Sequence, residues 1–324
     1  MTSITDPAAG SETAEAARTA VRSSSASPTP DRRRRRHLID WSAYLFLLPW
    51  FAGMLFTVIP FGASLVLAFT DYDLLNAPKF IGMQNFTEIF RDERVHKSLA
   101  VTFIYCLVSV PTSLAAALGV ALMLNKGLRG LPIFRAIYYL PSLLGSSVAV
   151  VMLWRQVFST RGIVNTALGW FGIQGPSWTS DPHTALSVLI LLHIWTFGAP
   201  MVIFLAALRQ VPVMYYEAAA VDGASRWRQF RSITLPLISP IIFFNLVLAT
   251  IGAMQSFTQS FVMSNGTGGP ADSTLFYNLY LYVQGFSRFH MGYASALAWV
   301  LLLIIAALTA INFLAQRYWV FYEN

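Results

Sequence analysis

The chain has 324 residues, of which 56% are hydrophobic and only 11% charged. A soluble domain carries about 25% charged residues, so the composition excludes an ordinary water-soluble fold and predicts an integral membrane protein. The net charge of +7 gathers in the N-terminal tail and two short loops, which argues for a lipid bilayer and against nucleic acid as partner. The lone Cys106 excludes an internal disulfide and a cysteine-based zinc site.

Residues 1–40 are rich in Ala, Ser, Thr and Pro and end in the run Arg32–Arg36. Such a stretch cannot bury enough surface to fold and is expected to be a disordered cytoplasmic tail. The apolar run that follows is too long for a signal-peptide core, so no cleaved leader is expected. Charge-poor windows then recur at about 41–70, 98–125, 136–155, 183–208, 238–263 and 289–316. A helix needs about 20 residues to cross the hydrocarbon, so these predict an all-α protein of six transmembrane helices spread over 41–324. The window at 136–155 is the shortest.

With the N-terminus inside, 15 of the 22 Lys and Arg fall on the cytoplasmic side and 7 outside. The basic loops Lys126–Arg135 and Arg209–Arg231 agree with the tail, so both termini and the loop 209–237 are expected in the cytoplasm. The spans contain no Asp or Glu, the usual mark of ion coupling at mid-membrane. The chain also lacks G-x-x-x-x-G-K-[ST], H-E-x-x-H and G-x-S-x-G, hence no phosphate cradle, metal site or nucleophile elbow is expected. Work done by this protein must draw energy from a partner.

Polar side chains inside the spans need a partner or a wet cavity. The fifth span carries Gln255, Ser256 and Gln259, the two glutamines one helical turn apart. The fourth carries His193 and Trp195 just before Gly198 and Pro200, where a kink is expected. Two readings stand for Gln255 and Gln259: interhelical hydrogen bonds, or amides facing an uncharged polyhydroxylated solute. For Asn245 and for His193 taken alone, helix–helix bonding is the expectation.

The segment Glu217–Pro236, E-A-A-A-V-D-G-A-S-R-W-R-Q-F-R-S-I-T-L-P, predicts two short helices. Ala218, Ala219 and Ala220 are strong helix formers, and Gly223 can end their helix in the left-handed conformation. Trp227, Phe230 and Thr234 recur at roughly helical spacing and leave Arg226, Arg228 and Arg231 for a wet side. Such a segment is either an amphipathic loop or an elbow that inserts into a groove of another protein.

This segment resembles the E-A-A loop of permease subunits of binding-protein-dependent ABC importers. F-x-G-M-Q-N-F at Phe80–Phe86, Y-L-P-S at Tyr139–Ser142 with Trp154 after it, G-G-P at Gly268–Pro270 and M-G-Y-A-S-A at Met291–Ala296 are similar to the carbohydrate branch. That branch includes the larger maltose and the glycerol-3-phosphate permease subunits. The resemblance implies a type I importer permease, multi-pass in a bacterial inner membrane, with no enzymatic activity and no cofactor of its own. ATP–Mg would act in two partner ATPase subunits. A second related permease and an extracytoplasmic sugar-binding protein would complete the importer.

By the same resemblance, Glu217, Ala218, Ala219, Asp222 and Gly223 couple to an ATPase subunit. His193, Trp195, Gly198, Met201, Gln255, Ser256 and Gln259 lie along the substrate path of a sugar or oligosaccharide. His193 and Met201 stand where amide and aromatic residues are expected, which implies a different sugar from that of the maltose relative. A polyol or glycerol phosphate ester is the first alternative, but a phosphorylated solute calls for Arg or Lys in the path, and only Arg155 lies near it. A membrane enzyme or scaffold is the second alternative, and no catalytic group supports it.

Overall fold

The computed structural model describes residues 41–127, 130–145 and 147–322. The expected tail at 1–40 lies outside the described residues. The chain divides into two units, 1–57 and 58–324. The described part of the first is the opening of helix α1 (Trp41–Leu67), whose side chains from Leu45 to Thr57 are nearly all exposed. An apolar helix with no polar face suits lipid.

The second unit begins with the rest of α1 and a two-residue antiparallel ladder, β1 (Thr70–Asp71) on β2 (Lys79–Phe80). This ladder departs from the all-helical expectation. Helix α2 (Gln84–Arg91) follows. The motif asparagine Asn85 is buried there and donates through Nδ2 to Ala68 O at 2.9 Å and Thr70 O at 3.0 Å. Beside it, the Gly292 N–H donates to Tyr72 O at 3.0 Å. Two motifs far apart in sequence therefore meet at one corner, where their polar groups satisfy loop carbonyls that lipid could not.

Helix α3 (Glu93–Leu124) is the centre of the bundle. Asp92 caps it by accepting from the Arg94 N–H at 2.9 Å, a satisfied helix start. Ser98, Thr102, Tyr105, Ser109, Ser113, Ala117 and Ala121 are buried along one seam at helical spacing. Small and hydroxylated residues on that seam allow close approach by helices α7 (Ala185–Trp195), α8 (Gly198–Gln210), α11 (Leu235–Met254) and α13 (Tyr277–Tyr282).

Among the described residues, four helical stretches are long and apolar enough to cross a membrane: 45–67, 93–124, 226–254 and 291–319. Two bent pairs raise the number to six. Helix α4 (Leu131–Leu144) meets α5 (Val148–Val157) at 101°, and α7 meets α8 at 41°. Helix α6 (Ile163–Trp170) and a loop separate the pairs. The kink expected at Gly198 and Pro200 falls at Thr196–Phe197, just ahead of them.

The fifth span differs most from expectation. It does not begin at 238: α10 (Arg226–Gln229) continues through a π-helical stretch at Phe230–Thr234 into α11. It then breaks at Gln255–Phe257, before α12 (Thr258–Met263). Gln255 and Gln259 therefore stand on either side of a break and not on one helical face. Asn245 bonds to its own helix, Nδ2 to Ile241 O at 2.8 Å, and among the described residues not across to a neighbour. The last helix, α14, runs Met291–Trp319.

Candidate functional site: a polar cavity and an exposed elbow

The break in the fourth span and the break in the fifth meet at one cavity of about 450 Å³. His193 and Thr196 border it from the first break; Gln255, Ser256, Thr258 and Gln259 border it from the second. Tyr105 on α3 and Ser142 at the end of α4 complete the polar lining. Broken helices release backbone groups, and these survive at membrane depth only where protein or a wet cavity meets them. Here Asn278 Nδ2 donates to the Gln255 carbonyl at 2.7 Å, and the Thr196 hydroxyl donates to His193 O at 2.7 Å. Ser256 Oγ donates to Gln259 Oε1 at 3.0 Å. No Asp, Glu, Lys or Arg lines the cavity among the described residues.

Four of the seven expected path residues are thus together: His193, Gln255, Ser256 and Gln259. The other three build the walls. The Trp195 ring packs on Trp154, with centroids 5.4 Å apart. Met201 is fully buried. Gly198 lies under α4, where a Cβ would stand 2.2 Å from Tyr138 O and 2.7 Å from Tyr139 Cα, so hydrogen is the only side chain that fits. Tyr105, Ser142, Thr196 and Thr258 are additions to the expected set. The polar spacing of Ser98, Thr102, Tyr105, Ser109 and Ser113 on one face of α3 was the available signal for Tyr105.

The N-terminal end of α3 carries a second polar group of residues. Asp92 Oδ2 accepts from the hydroxyls of Tyr280 and Tyr293, and Gln284 Nε2 donates to Tyr280. Burial pushes the Asp92 carboxyl up, but the two phenol bonds and the backbone N–H groups of Arg94 and Val95 outweigh it and hold the group below its ordinary range. Burial, then the Asp92 charge, push the Tyr280 phenol up to about 12.

The elbow lies between α8 and α11. Helix α9 (Val213–Val221) carries Glu217, Ala218 and Ala219. It ends with Gly223 at φ 73°. The Gly223 N–H donates to Ala220 O at 3.0 Å and the Ala224 N–H to Ala219 O at 2.9 Å, the paired bonds of a Schellman ending. Ser225 then caps α10 by accepting from the Arg228 N–H at 3.3 Å. Tyr216 Oη lies 2.9 Å from Thr234 Oγ1 and ties α9 to the π-helical stretch. Glu217, Ala218, Asp222 and Gly223 are exposed, and Val221 is 90% exposed. Trp227 does not turn inward as its spacing suggested; it is 69% exposed, with its ring 5.5 Å from Phe230. An apolar tip rimmed by Arg226, Arg228 and Glu217 has the make-up of a protein contact.

Residues 93–320 match the family model described as "Binding-protein-dependent transport system inner membrane component". The chain belongs to that family. It is 51% identical over 286 residues to the probable ABC transporter permease protein YesP of Bacillus subtilis, covering 87% of this chain and 93% of that one. It is 35% identical to the lactose transport system permease protein LacF of Rhizobium radiobacter, covering 89% and 98%. Against the sn-glycerol-3-phosphate transport system permease protein UgpA of Yersinia pestis the identity is 32%, covering 85% and 93%. Among solved structures, a bacterial ABC transporter involved in the import of the acidic polysaccharide alginate has a chain that superposes with a TM-score of 0.73 at 24% identity, covering 86% of this chain and 96% of that one. That likeness bears on the fold. The chain is therefore a multi-pass inner-membrane permease of an ABC transporter, with the type I permease fold and no enzymatic part of its own.

Proposed function

We propose that this permease passes a neutral sugar or oligosaccharide from an extracytoplasmic binding protein into the cytoplasm. The observation that carries the reading is the cavity at the two helix breaks, lined by amides and hydroxyls and free of charged side chains among the described residues. Its volume of about 450 Å³ lies within the range of small-molecule sites. Hydroxyl and amide groups can exchange hydrogen bonds with a polyol without leaving a buried charge unpaired. The lactose and alginate named for relatives support a saccharide as cargo. A binding protein as donor is supported by the alginate transporter crystallised with its alginate pentasaccharide-bound periplasmic protein.

The elbow at Glu217–Gly223 is the docking point for an ATPase subunit in this reading. ATP–Mg acts in two such subunits, and a second related permease completes the path. Both termini and the elbow face the cytoplasm, in keeping with the excess of Lys and Arg there. The 32% relative named for glycerol-3-phosphate favours a second reading, a phosphorylated polyol, which the uncharged cavity opposes.

The test is to reconstitute the complete importer and measure ATP hydrolysis stimulated by the liganded binding protein. Stimulation by a neutral saccharide is the expected outcome. Stimulation by glycerol phosphate with none by any saccharide would replace the reading.

A further inference from the structure

Tyr105 is 1% exposed, yet it borders the cavity from the central helix. Its hydroxyl lies 3.2 Å from Nδ1 of His193, and the two rings meet edge-on with centroids 5.6 Å apart. The phenol ring also packs against Phe276, with centroids 4.6 Å apart. One turn earlier on α3, Thr102 Oγ1 accepts from the Tyr277 N–H at 2.9 Å. The packing on Phe276 and the edge-on contact with His193 hold the phenol against the imidazole. His193 itself is only half-buried, and among the described residues its Nε2 has no protein partner.

A neutral imidazole carries one proton, and the bond made by one ring nitrogen decides which nitrogen holds it. A hydroxyl that donates to Nδ1 leaves the proton on Nε2. We propose that Tyr105 is a positioning residue of the solute path: it donates to His193 Nδ1 and so makes Nε2–H a fixed donor toward an acceptor oxygen of the saccharide. Gln255 and Gln259 border the same cavity, and their amides can turn to suit either a donor or an acceptor. His193, locked by Tyr105, cannot. That makes the pair a specificity element, and it rests on the carbohydrate reading above.

Two measurements test it. In the first, the full-length permease is labelled at its histidine ring nitrogens, held in lipid nanodiscs without sugar, and examined by NMR. His193 is assigned by the signals lost in His193→Gln. The wild type is expected to show a single tautomer with the proton on Nε2, and Tyr105→Phe a mixture of tautomers. A proton on Nδ1 in the wild type, or an unchanged His193 spectrum in a folded Tyr105→Phe, overturns the proposal. If Tyr105→Phe does not fold, the wild-type spectrum decides alone.

The second measurement uses proteoliposomes holding the complete importer, with lactose, maltose and raffinose as probes at saturating binding protein. Loss of one oriented hydrogen bond in Tyr105→Phe is expected to lower sugar moved per ATP hydrolysed about three- to tenfold. Made on top of His193→Gln, whose amide has no tautomer to set, the same change is expected to add less than about twofold. Equal losses in the two backgrounds overturn the proposal, since a packing role for the ring predicts that result. Failure of the wild type to move any of the three sugars counts against the carbohydrate reading, while the nitrogen spectrum still decides the tautomer.

Discussion

Arg94 and Asp272 form a two-point ion pair, Nε to Oδ2 at 3.0 Å and Nη2 to Oδ1 at 2.7 Å. It fastens the loop after α12 to the start of α3. That loop turns through left-handed positions at Gly268, Gly269, Ala271 and Asp272, and Thr274 Oγ1 braces it by donating to Gly268 O at 2.8 Å. The pair is partly exposed, at 39% and 27%, so its contribution to global stability is at most about 1 kcal/mol. Asp272→Asn is expected to leave the melting temperature nearly unchanged while residues 264–276 exchange amide hydrogens faster. A loss of several kcal/mol in global stability would contradict this.

Asp92 gives the corner at the start of α3 an acid limit. A carboxyl whose folded-state pKa lies below its ordinary value contributes fully above that ordinary value, about 3.9. The contribution fades as pH falls through the depressed value. Thermal unfolding of the detergent-solubilised permease is expected to show a plateau above about pH 5 and a decline below it. In Asp92→Asn the plateau should sit lower and the acid decline should be shallower. Parallel curves for the two proteins would remove Asp92 from this role.

Gly223 has no atom within 4 Å of where a Cβ would stand, so within this chain its requirement is conformational. A left-handed φ costs a non-glycine residue about 1–2 kcal/mol, least for asparagine and most for a β-branched residue. Gly223→Asn is expected to retain most transport, and Gly223→Val to abolish it while the protein still inserts. Co-purification of the ATPase and sugar uptake are the two readouts. Full uptake in Gly223→Val would refute the coupling role of the elbow.

Gly198 has the opposite character. The atoms a Cβ would meet there are backbone atoms of Tyr138 and Tyr139, and backbone cannot step aside as a side chain can. Gly198→Ala is expected to cost about 1–3 kcal/mol through overpacking, seen as a lower melting temperature before any change in sugar preference. An unchanged melting temperature with altered preference would move Gly198 back to the solute path.

Gln255→Leu and Gln259→Leu each replace a cavity amide by an apolar group of similar size. Reduced uptake or a changed order of preference among sugars is expected, with ATPase association intact. The effect should be about two- to tenfold, the worth of one hydrogen bond. Wild-type rates and preferences in both variants would assign the two amides to helix packing.

The spans were legible in the sequence because apolar content is a local property. Their breaks were legible only in part. Gly198 and Pro200 announced the first. The second falls in Gln255-Ser256-Phe257, with neither proline nor glycine, and periodicity alone continues a helix through it. What stabilises that break is Asn278, which bonds the freed carbonyl from 23 residues away; no window on the sequence contains that partner. The cavity shows the same division. Gln255, Ser256 and Gln259 stood out as polar residues in an apolar run, whereas Tyr105 was marked only by the polar spacing of Ser98, Thr102, Ser109 and Ser113 on its face of α3, which does not say what it faces. Trp227 was misjudged because helical spacing identifies a face without saying whether that face is covered.

The π-helical stretch at Phe230–Thr234 removes a joint. Because it carries α10 into α11 without interruption, the base of the elbow and the cavity edge at Gln255 are the two ends of one rod of 29 residues, 226–254, about 43 Å long. A rod transmits tilt with gain: each degree of rotation about one end moves the other by about 0.75 Å over that length. A tilt of four or five degrees imposed at Arg226 would thus displace the Gln255 end by about 3 Å, roughly the reach of one hydrogen bond. Moving the Gln255 end then requires no slack to be taken up along the span, only a small angle set at its Arg226 end.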